Sequence, residues 1–285
     1  DEPIGLGLGC RGLVDVFVQP ATEGPLAELA ADWRRRLAAD EAFVAVTVVG
    51  GAAGAGATRL VGHDGGGDGS LDAERLDRAA VALAAERLAA AMHPAGGTAR
   101  AAAGCEEIAG RLVFVEPLTP PEHLVVCGAG DDAVPLVALA ASAGFRVSVL
   151  DHRPRLLDEV RFPAAWRRTT VRPEDGGTPA ELAPAGRSLG VVMTHSLAHD
   201  REWVRRLLAA GLPYVGLLGP RERAAEVRRE IGAEGDERLH GPVGLDLGAD
   251  GPRQVAVSVV AELLAVLSGR RPRPLTERKA AIHAG

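Results

Sequence analysis

The stretch Val125-Val-Cys-Gly-Ala-Gly-Asp-Asp-Ala133 decides the fold. It leaves a short apolar strand, His123 to Cys127, and opens a helix predicted over Ala133 to Ala143, which is the context the GxGxxG/A fingerprint requires. Gly128 permits a tight turn, Gly130 lets a pyrophosphate approach the main chain, and Ala133 lets helix and strand pack closely. Ala129 sits between the glycines in the same cradle. Anions gather at such a helix start because its first N–H groups lack partners and the helix dipole is positive there. Asp151 follows Gly128 by 23 residues, close to the spacing of about 20 expected of a carboxylate that holds a ribose diol. Asp131 and Asp132 act against this reading, since carboxylates beside a phosphate repel it. A glycine turn with a helix-capping Asp and no ligand is the simpler alternative.

Downstream, strands and helices alternate. Phe145 to Leu150 reads as a second strand, Thr169 to Val171 and Gly190 to Met193 as further ones, and Pro213 to Leu218 as another. Helices are predicted over Arg201 to Ala210, with Asp200 as its cap, over Arg221 to Ile231, and over Pro252 to Leu267. That alternation predicts a doubly wound, Rossmann-type parallel sheet over residues 123–285. Upstream the pattern differs. Gly12 to Pro20 and Gly110 to Pro117 are β-rich runs stopped by proline, read as paired strands of one sheet. Leu26 to Leu37 and Leu71 to Met92 are helical, Phe43 to Gly50 is a strand, and the Gly-rich run from Gly50 to Gly69 reads as turns. Residues 1–117 therefore read as a smaller α+β domain, joined by a stiff linker over 118–122. The chain opens on Asp1 inside what reads as a Gly-rich loop before a strand, so that domain is expected to be truncated at its start.

Composition excludes several classes. A net charge of −6 with signs mixed along the helices offers no basic stripe to track a nucleic-acid backbone. No apolar run reaches the length of a membrane span, and no secretory h-region opens the chain, so a cytoplasmic protein is expected. The three cysteines, Cys10, Cys105 and Cys127, form no CxxC pair and leave one over. That argues against a disulfide framework and a cysteine-rich zinc site.

In a doubly wound sheet the crevice lies where the strand order reverses, beyond the carboxyl ends of the central strands. The loop Thr194-His-Ser-Leu-Ala-His-Asp200 should face the glycine turn there. His195 is the candidate donor to a phosphate or pterin oxygen, or a general acid or base; a hydrogen-bonded loop histidine is the alternative. The next loop, Gly216-Leu-Leu-Gly-Pro-Arg-Glu-Arg223, brings Gly216, Gly219, Arg221 and Arg223 to the same edge, where the arginines grip phosphate or simply face solvent. The loop from His240 to Ala249 adds His240 and Asp246. No two of His195, His240 and Asp246 have helical metal-ligand spacing, so no metal site is predicted.

A series of motifs along this chain resembles the xanthine dehydrogenase accessory proteins, the XdhC/CoxI family. They are Phe114-Val-Glu-Pro117, the Gly-Ala-Gly turn, Val149-Leu-Asp-His-Arg-Pro154, Arg161-Phe-Pro163, Met193-Thr-His195 with Asp200, Tyr214-Val-Gly-Leu-Leu-Gly219 with Arg221, and Leu239-His-Gly-Pro-Val-Gly-Leu-Asp-Leu-Gly248. The loop Gly5-Leu-Gly-Leu-Gly-Cys-Arg-Gly12 is similar to the family's Gly-Leu-x-Cys-Gly-Gly, with Arg11-Gly12 in place of two glycines, and the family's earlier Gly-Gly-Cys segment is absent. The resemblance implies a non-catalytic maturation chaperone that binds molybdenum cofactor (molybdopterin, or a dinucleotide form of it). It further implies support for the cofactor's sulfuration with a cysteine desulfurase and delivery to an apo molybdenum hydroxylase of the xanthine or carbon monoxide dehydrogenase type. A homodimer through the apolar last helix is expected. Cys10 is the candidate thiol for molybdenum or sulfur, against a buried inert thiol. The fingerprint with Asp151, taken alone, supports an NAD(P)-dependent oxidoreductase as the alternative.

Overall fold

A computed structural model describes residues 16–23, 25–50, 54–92, 103–175 and 188–279. The chain divides between Leu118 and Thr119 into two compact units, with residues 86–102 grouped with the second.

In the first unit, helix α1 (Pro25–Ala38) precedes strands β1 (Phe43–Gly50) and β2 (Thr58–Gly62), helix α2 (Glu74–Met92, whose residues from Glu86 on are grouped with the second unit), and strands β3 (Gly104–Ile108) and β4 (Arg111–Leu118). The sheet is antiparallel in the order β2-β1-β4-β3. Leu29, Trp33 and Leu37 recur at helical spacing and lay one face of α1 over Phe43, Ala45 and Leu60. The Trp33 and Phe43 rings meet edge to face at 5.7 Å. β3 and β4 are joined by Ala109-Gly110, both at positive φ, which suits the right-handed twist of a two-residue hairpin. Two expectations change here. The Gly110–Pro117 run pairs with β1 on one side and β3 on the other; of the run expected to pair with it, Gly12 to Pro20, residues 16–20 are irregular, and 12–15 lie outside the described residues. The Gly-rich run holds a strand, β2, which Thr58, Leu60 and Val61 qualify by their burial.

The second unit is built on β5 (His123–Cys127), α3 (Ala133–Ser142), β6 (Arg146–Asp151), β7 (Arg167–Thr170), β8 (Ser188–Val192), α4 (Leu197–Ala209), β9 (Val215–Leu217), α5 (Arg221–Ile231), β10 (Leu239–His240) and α6 (Pro252–Ser268). All six strands are parallel, in the order β10-β9-β8-β5-β6-β7. Numbered within the unit that is 3-2-1-4-5-6 read from β7, the Rossmann order, and it places the switch point between β5 and β8. Both faces are covered, which is why β5 is a continuous apolar run and buried throughout. Leu124 and Val126 pack into the core beneath α3 and α6, while Val125 and Cys127 pack into the one beneath α4 and α5. At the amino edge, the buried His123 ring bonds Ser148 Oγ at 2.8 Å and Ser188 Oγ at 3.3 Å, so its polar atoms are satisfied.

α4 starts four residues ahead of its expected start. Its cap is Ser196, whose Oγ accepts the His199 N–H, and Asp200 lies inside the first turn with its side chain buried. Among the described residues no helix is long and apolar enough to cross a membrane.

Candidate functional site

The glycine turn is held from below. Gly128 donates its N–H to Leu150 O of β6 at 2.8 Å. Its φ is +119°, and a Cβ there would lie 2.6 Å from Met193 O. Gly128 is therefore required where the chain leaving β5 passes close against the chain leaving β8. A Cβ on Gly130 would instead meet only the His195 ring, at 3.5 Å, so the imidazole lies over the turn. The amides of Gly130, Asp131 and Asp132 donate to nothing among the described residues, and α3 has no side-chain cap. These are the orphan donors that make a helix start an anion site.

The two acids that opposed a phosphate are both engaged. Arg161 Nη2 reaches Asp131 Oδ1 at 2.6 Å, and His195 Nε2 lies 3.4 Å from Asp132 Oδ2. Arg161 also donates to Ala129 O at 3.3 Å, tying the loop after β6 to the turn. Sequence reasoning marked Arg161 only as part of a motif.

Asp151, at the end of β6, is committed to the turn rather than open to a ribose. Its Oδ2 accepts the Ala129 N–H at 2.7 Å and Arg153 Nη2 at 2.8 Å. Its Oδ1 accepts the Arg153 N–H at 2.8 Å and Nε at 2.9 Å. Burial works to raise its pKa, but the Arg153 side chain and charge with the Ala129 and Arg153 amides outweigh it and hold the carboxyl at about 2.

The loop after β8 is organised around Asp200. Thr194 donates its N–H to Asp200 Oδ1 at 3.1 Å and its hydroxyl to the same oxygen, while accepting the Ser196 N–H at 3.2 Å. His195 follows with φ +60°, a left-handed conformation that costs a non-glycine residue about 1 kcal/mol or more. Its side chain is 60% exposed, which leaves the imidazole available to a ligand. The other oxygen of Asp200 accepts Arg223 Nε at 2.7 Å.

Together these loops open a cleft of about 800 Å³, lined among others by Asp132, His195, Gly219, Arg221, Arg223 and Asp246. That is the size of a cofactor or drug-like ligand. Asp246 and Arg221 stand in its wall as the sequence places them. Gly216 and His240 do not. Gly216 is buried in β9, where a Cβ would lie 2.4 Å from Val243 Cγ2, so its role is packing. His240 turns behind the cleft: its Nδ1 is 2.9 Å from Glu262 Oε1, and its ring stacks against Tyr214 at 4.4 Å. Cys10 lies outside the described residues; Cys127 is buried, and burial pushes its thiol up. Among the described residues no cluster of His, Cys, Asp and Glu could hold a metal ion.

Glu262 is a site-supporting residue that sequence reasoning missed. Its carboxylate also accepts the Tyr214 hydroxyl at 2.8 Å and the Gly244 N–H at 2.6 Å, anchoring the cleft loop to α6. Burial alone would raise its pKa, yet the His240, Gly244 and Tyr214 bonds lower it overall. The signal was present, as the one carboxylate in a mostly apolar helix. Removing its phenolic partner with Tyr214→Phe is expected to lower unfolding free energy by about 1 kcal/mol in urea titrations. No loss would mean that the hydroxyl is as well served by water.

Residues 124–263 match the XdhC Rossmann domain family. A probable xanthine dehydrogenase subunit of Bacillus subtilis (strain 168) is 38% identical over 152 residues, 53% of this chain and 45% of that protein. The uncharacterized protein YqeB of Escherichia coli (strain K12) is 31% identical over 159 residues, 54% of this chain and 29% of that protein. The chain thus spans less than half the length of these curated relatives. A crystal structure of a xanthine dehydrogenase from Bacillus halodurans aligns with a TM-score of 0.68 at 23% identity, over 87% of this chain and 68% of that one, a likeness of fold.

Proposed function

We propose, for a chain that belongs through its residues 124–263 to the XdhC family, that it binds molybdenum cofactor in the cleft and serves the maturation of a xanthine dehydrogenase-type molybdenum hydroxylase. The observation that carries this is the set of unbonded amides at Gly130, Asp131 and Asp132 beneath the His195 ring, at the rim of a cofactor-sized cleft. Molybdopterin ends in a phosphate, and an uncapped helix start whose first acid, Asp131, is paired with Arg161 is chemistry that suits one. The residues present therefore fit the group. The amides and His195 would hold its phosphate end, while Asp246 and Arg221 would meet its polar groups. Bound there, the cofactor supplies the redox-active molybdenum centre that the hydroxylase needs.

The chain's own part is carriage: the cleft shelters the ligand, the strained His195 aims its ring, and the α3 amides fix the anion. Sulfuration with a cysteine desulfurase, release to the apo-hydroxylase and a homodimer through α6 belong to the same proposal. Asp151 favours it over an NAD(P)-dependent oxidoreductase, because a ribose diol would have to compete with Arg153 for both carboxylate oxygens.

Titration with molybdenum cofactor released from a hydroxylase tests the reading. His195→Gly should weaken binding about tenfold by removing a charge-capable hydrogen bond, while its thermal midpoint holds or rises because the left-handed strain is gone. Gly130→Val, which presses on the ring, should weaken binding as well. Unchanged affinity in both removes the site, and saturable NAD(H) binding with hydride transfer would install the alternative.

A further inference from the structure

We propose that Asp200 is a positioning residue that sets both walls of the cleft at once, and that Arg223, which it orients, forms an oxyanion subsite distinct from the glycine turn. The inference rests on the cofactor reading above for its ligand, but its geometry stands by itself. Asp200 is 0% exposed in the first turn of α4, and its two oxygens serve different elements. Oδ1 accepts the Thr194 N–H at 3.1 Å and the Thr194 hydroxyl. Oδ2 accepts Arg223 Nε at 2.7 Å and pairs with Nη2 at 2.5 Å.

Each contact has a consequence in the cleft. Thr194 immediately precedes His195, so the carboxylate that fixes Thr194 also fixes the left-handed turn carrying the imidazole. Arg223 lines the cleft from α5, and its chain is confined where a Cβ on Gly219 would lie 2.8 Å from its Cδ. The guanidinium is planar and rigid, so the Nε bond to Oδ2, with Nη2 held close to the same oxygen but without a hydrogen-bond partner among the described residues, also fixes where Nη1 stands. Among the described residues Nη1 has no acceptor. The pair is neutral as a whole, so Arg223 offers directed N–H donors rather than net charge; Arg221, exposed on the same helix start, supplies the charge. An oxygen of a phosphoryl group is the acceptor such a fork fits. The ligand then carries two oxyanion positions, one for the α3 amides and one for Arg223, as a pyrophosphate-bearing form of the cofactor does.

Calorimetric titration of the full chain with inorganic pyrophosphate tests the subsite without molybdenum. Arg223→Gln should weaken pyrophosphate about tenfold, and Asp200→Asn should do the same by releasing the guanidinium. The double variant should lie within about twofold of either single, because in the Asp200→Asn background Arg223 is no longer aimed. Additive losses, a normal pyrophosphate affinity in Arg223→Gln, or no binding by the unaltered chain each overturns the proposal. A merely structural Asp200 would lower the thermal midpoint of Asp200→Asn and leave the tenfold effect of Arg223→Gln intact in that background, which also overturns it. Should Asp200→Asn fail to fold, Arg223→Lys, which keeps the charge but loses the Nε bond to Asp200, should weaken pyrophosphate as much as Arg223→Gln, and a normal affinity overturns the proposal. Cofactor binding that ignores Arg223→Gln sinks the subsite alone. Pyrophosphate binding that needs Arg223, in a chain that binds no molybdenum cofactor, sinks the cofactor reading alone.

Discussion

Gly128→Ala is expected to lower the unfolding free energy of the second unit by about 4 kcal/mol, a large share of what holds a domain of this size together. Two costs add. The φ of +119° belongs to glycine, and holding an L-residue there costs about 1–3 kcal/mol. The new methyl would lie 2.6 Å from Met193 O, 2.8 Å from its carbonyl carbon and 3.1 Å from Thr194 Cα. All three are main chain, so no rotamer change relieves the overlap, and displacing the two strand exits adds a similar cost. Gly130→Ala is the control. Its methyl would meet only the His195 ring, at 3.5–3.6 Å, and should change stability by less than about 0.5 kcal/mol. Urea denaturation of the two variants separates them; equal losses would show that turn chemistry in general, and not the close approach of the chains leaving β5 and β8, makes Gly128 necessary.

That contrast marks how far the chain could be read without its structure. The helix-period and apolar-run signals located β5, β6, β8, β9, α3, α5 and α6 because a parallel sheet buried on both faces leaves its strands uninterrupted by polar residues. β3 carried no such signal. Glu106 and Glu107 sit on an edge strand, where charge protects the unpaired edge and hides the strand from an apolar pattern. β2 was lost among glycines, and β10 is two residues long. At α4 the sequence points to Asp200 as the cap, whereas the cap is Ser196 and Asp200 lies in the first turn. There the Asp200 carboxylate is taken up by Arg223, a partner 23 residues away that only the tertiary fold brings near.

The site divides the same way. Topology placed His195 against the glycine turn, because which loops face each other follows from strand order. Asp246, Gly219 and Arg221 came with it. Orientation was not legible: His240 and Gly216 lie at the right edge of the sheet but face Glu262 and Val243. Nor was the neutralisation of Asp131 by Arg161, since the two residues share no local pattern. Spacing announced Asp151 as a ribose carboxylate, and spacing cannot show that Arg153 occupies it.

Asp151→Asn is expected to remove about 2 kcal/mol near neutral pH, and the loss should itself depend on pH. The folded-state pKa of about 2 lies below the 3.8 of an unperturbed aspartate. A depressed acid contributes stability that is fully present above its unfolded pKa and fades as pH falls through its folded pKa. The contribution should therefore be complete above about pH 5, decline through pH 4 and 3, and be nearly gone at about pH 2. Glu262 also has a lowered pKa and weakens the protein in acid, but it does so in both proteins. The difference between the parent and Asp151→Asn cancels that effect and isolates Asp151. Arg153 is 42% exposed, so water can take over its released N–H groups, which is why the expected loss is moderate for a buried carboxylate. Urea titrations of both proteins between about pH 2 and 7 should show their free-energy gap closing towards acid. A gap that stays constant would mean that Asp151 acts through the neutral hydrogen bond to Ala129 and not through its charge. If the gap closes, the glycine turn depends on an ionised carboxylate, and affinity for a phosphate-bearing ligand should fall over the same range as the Ala129 N–H loses its charged acceptor.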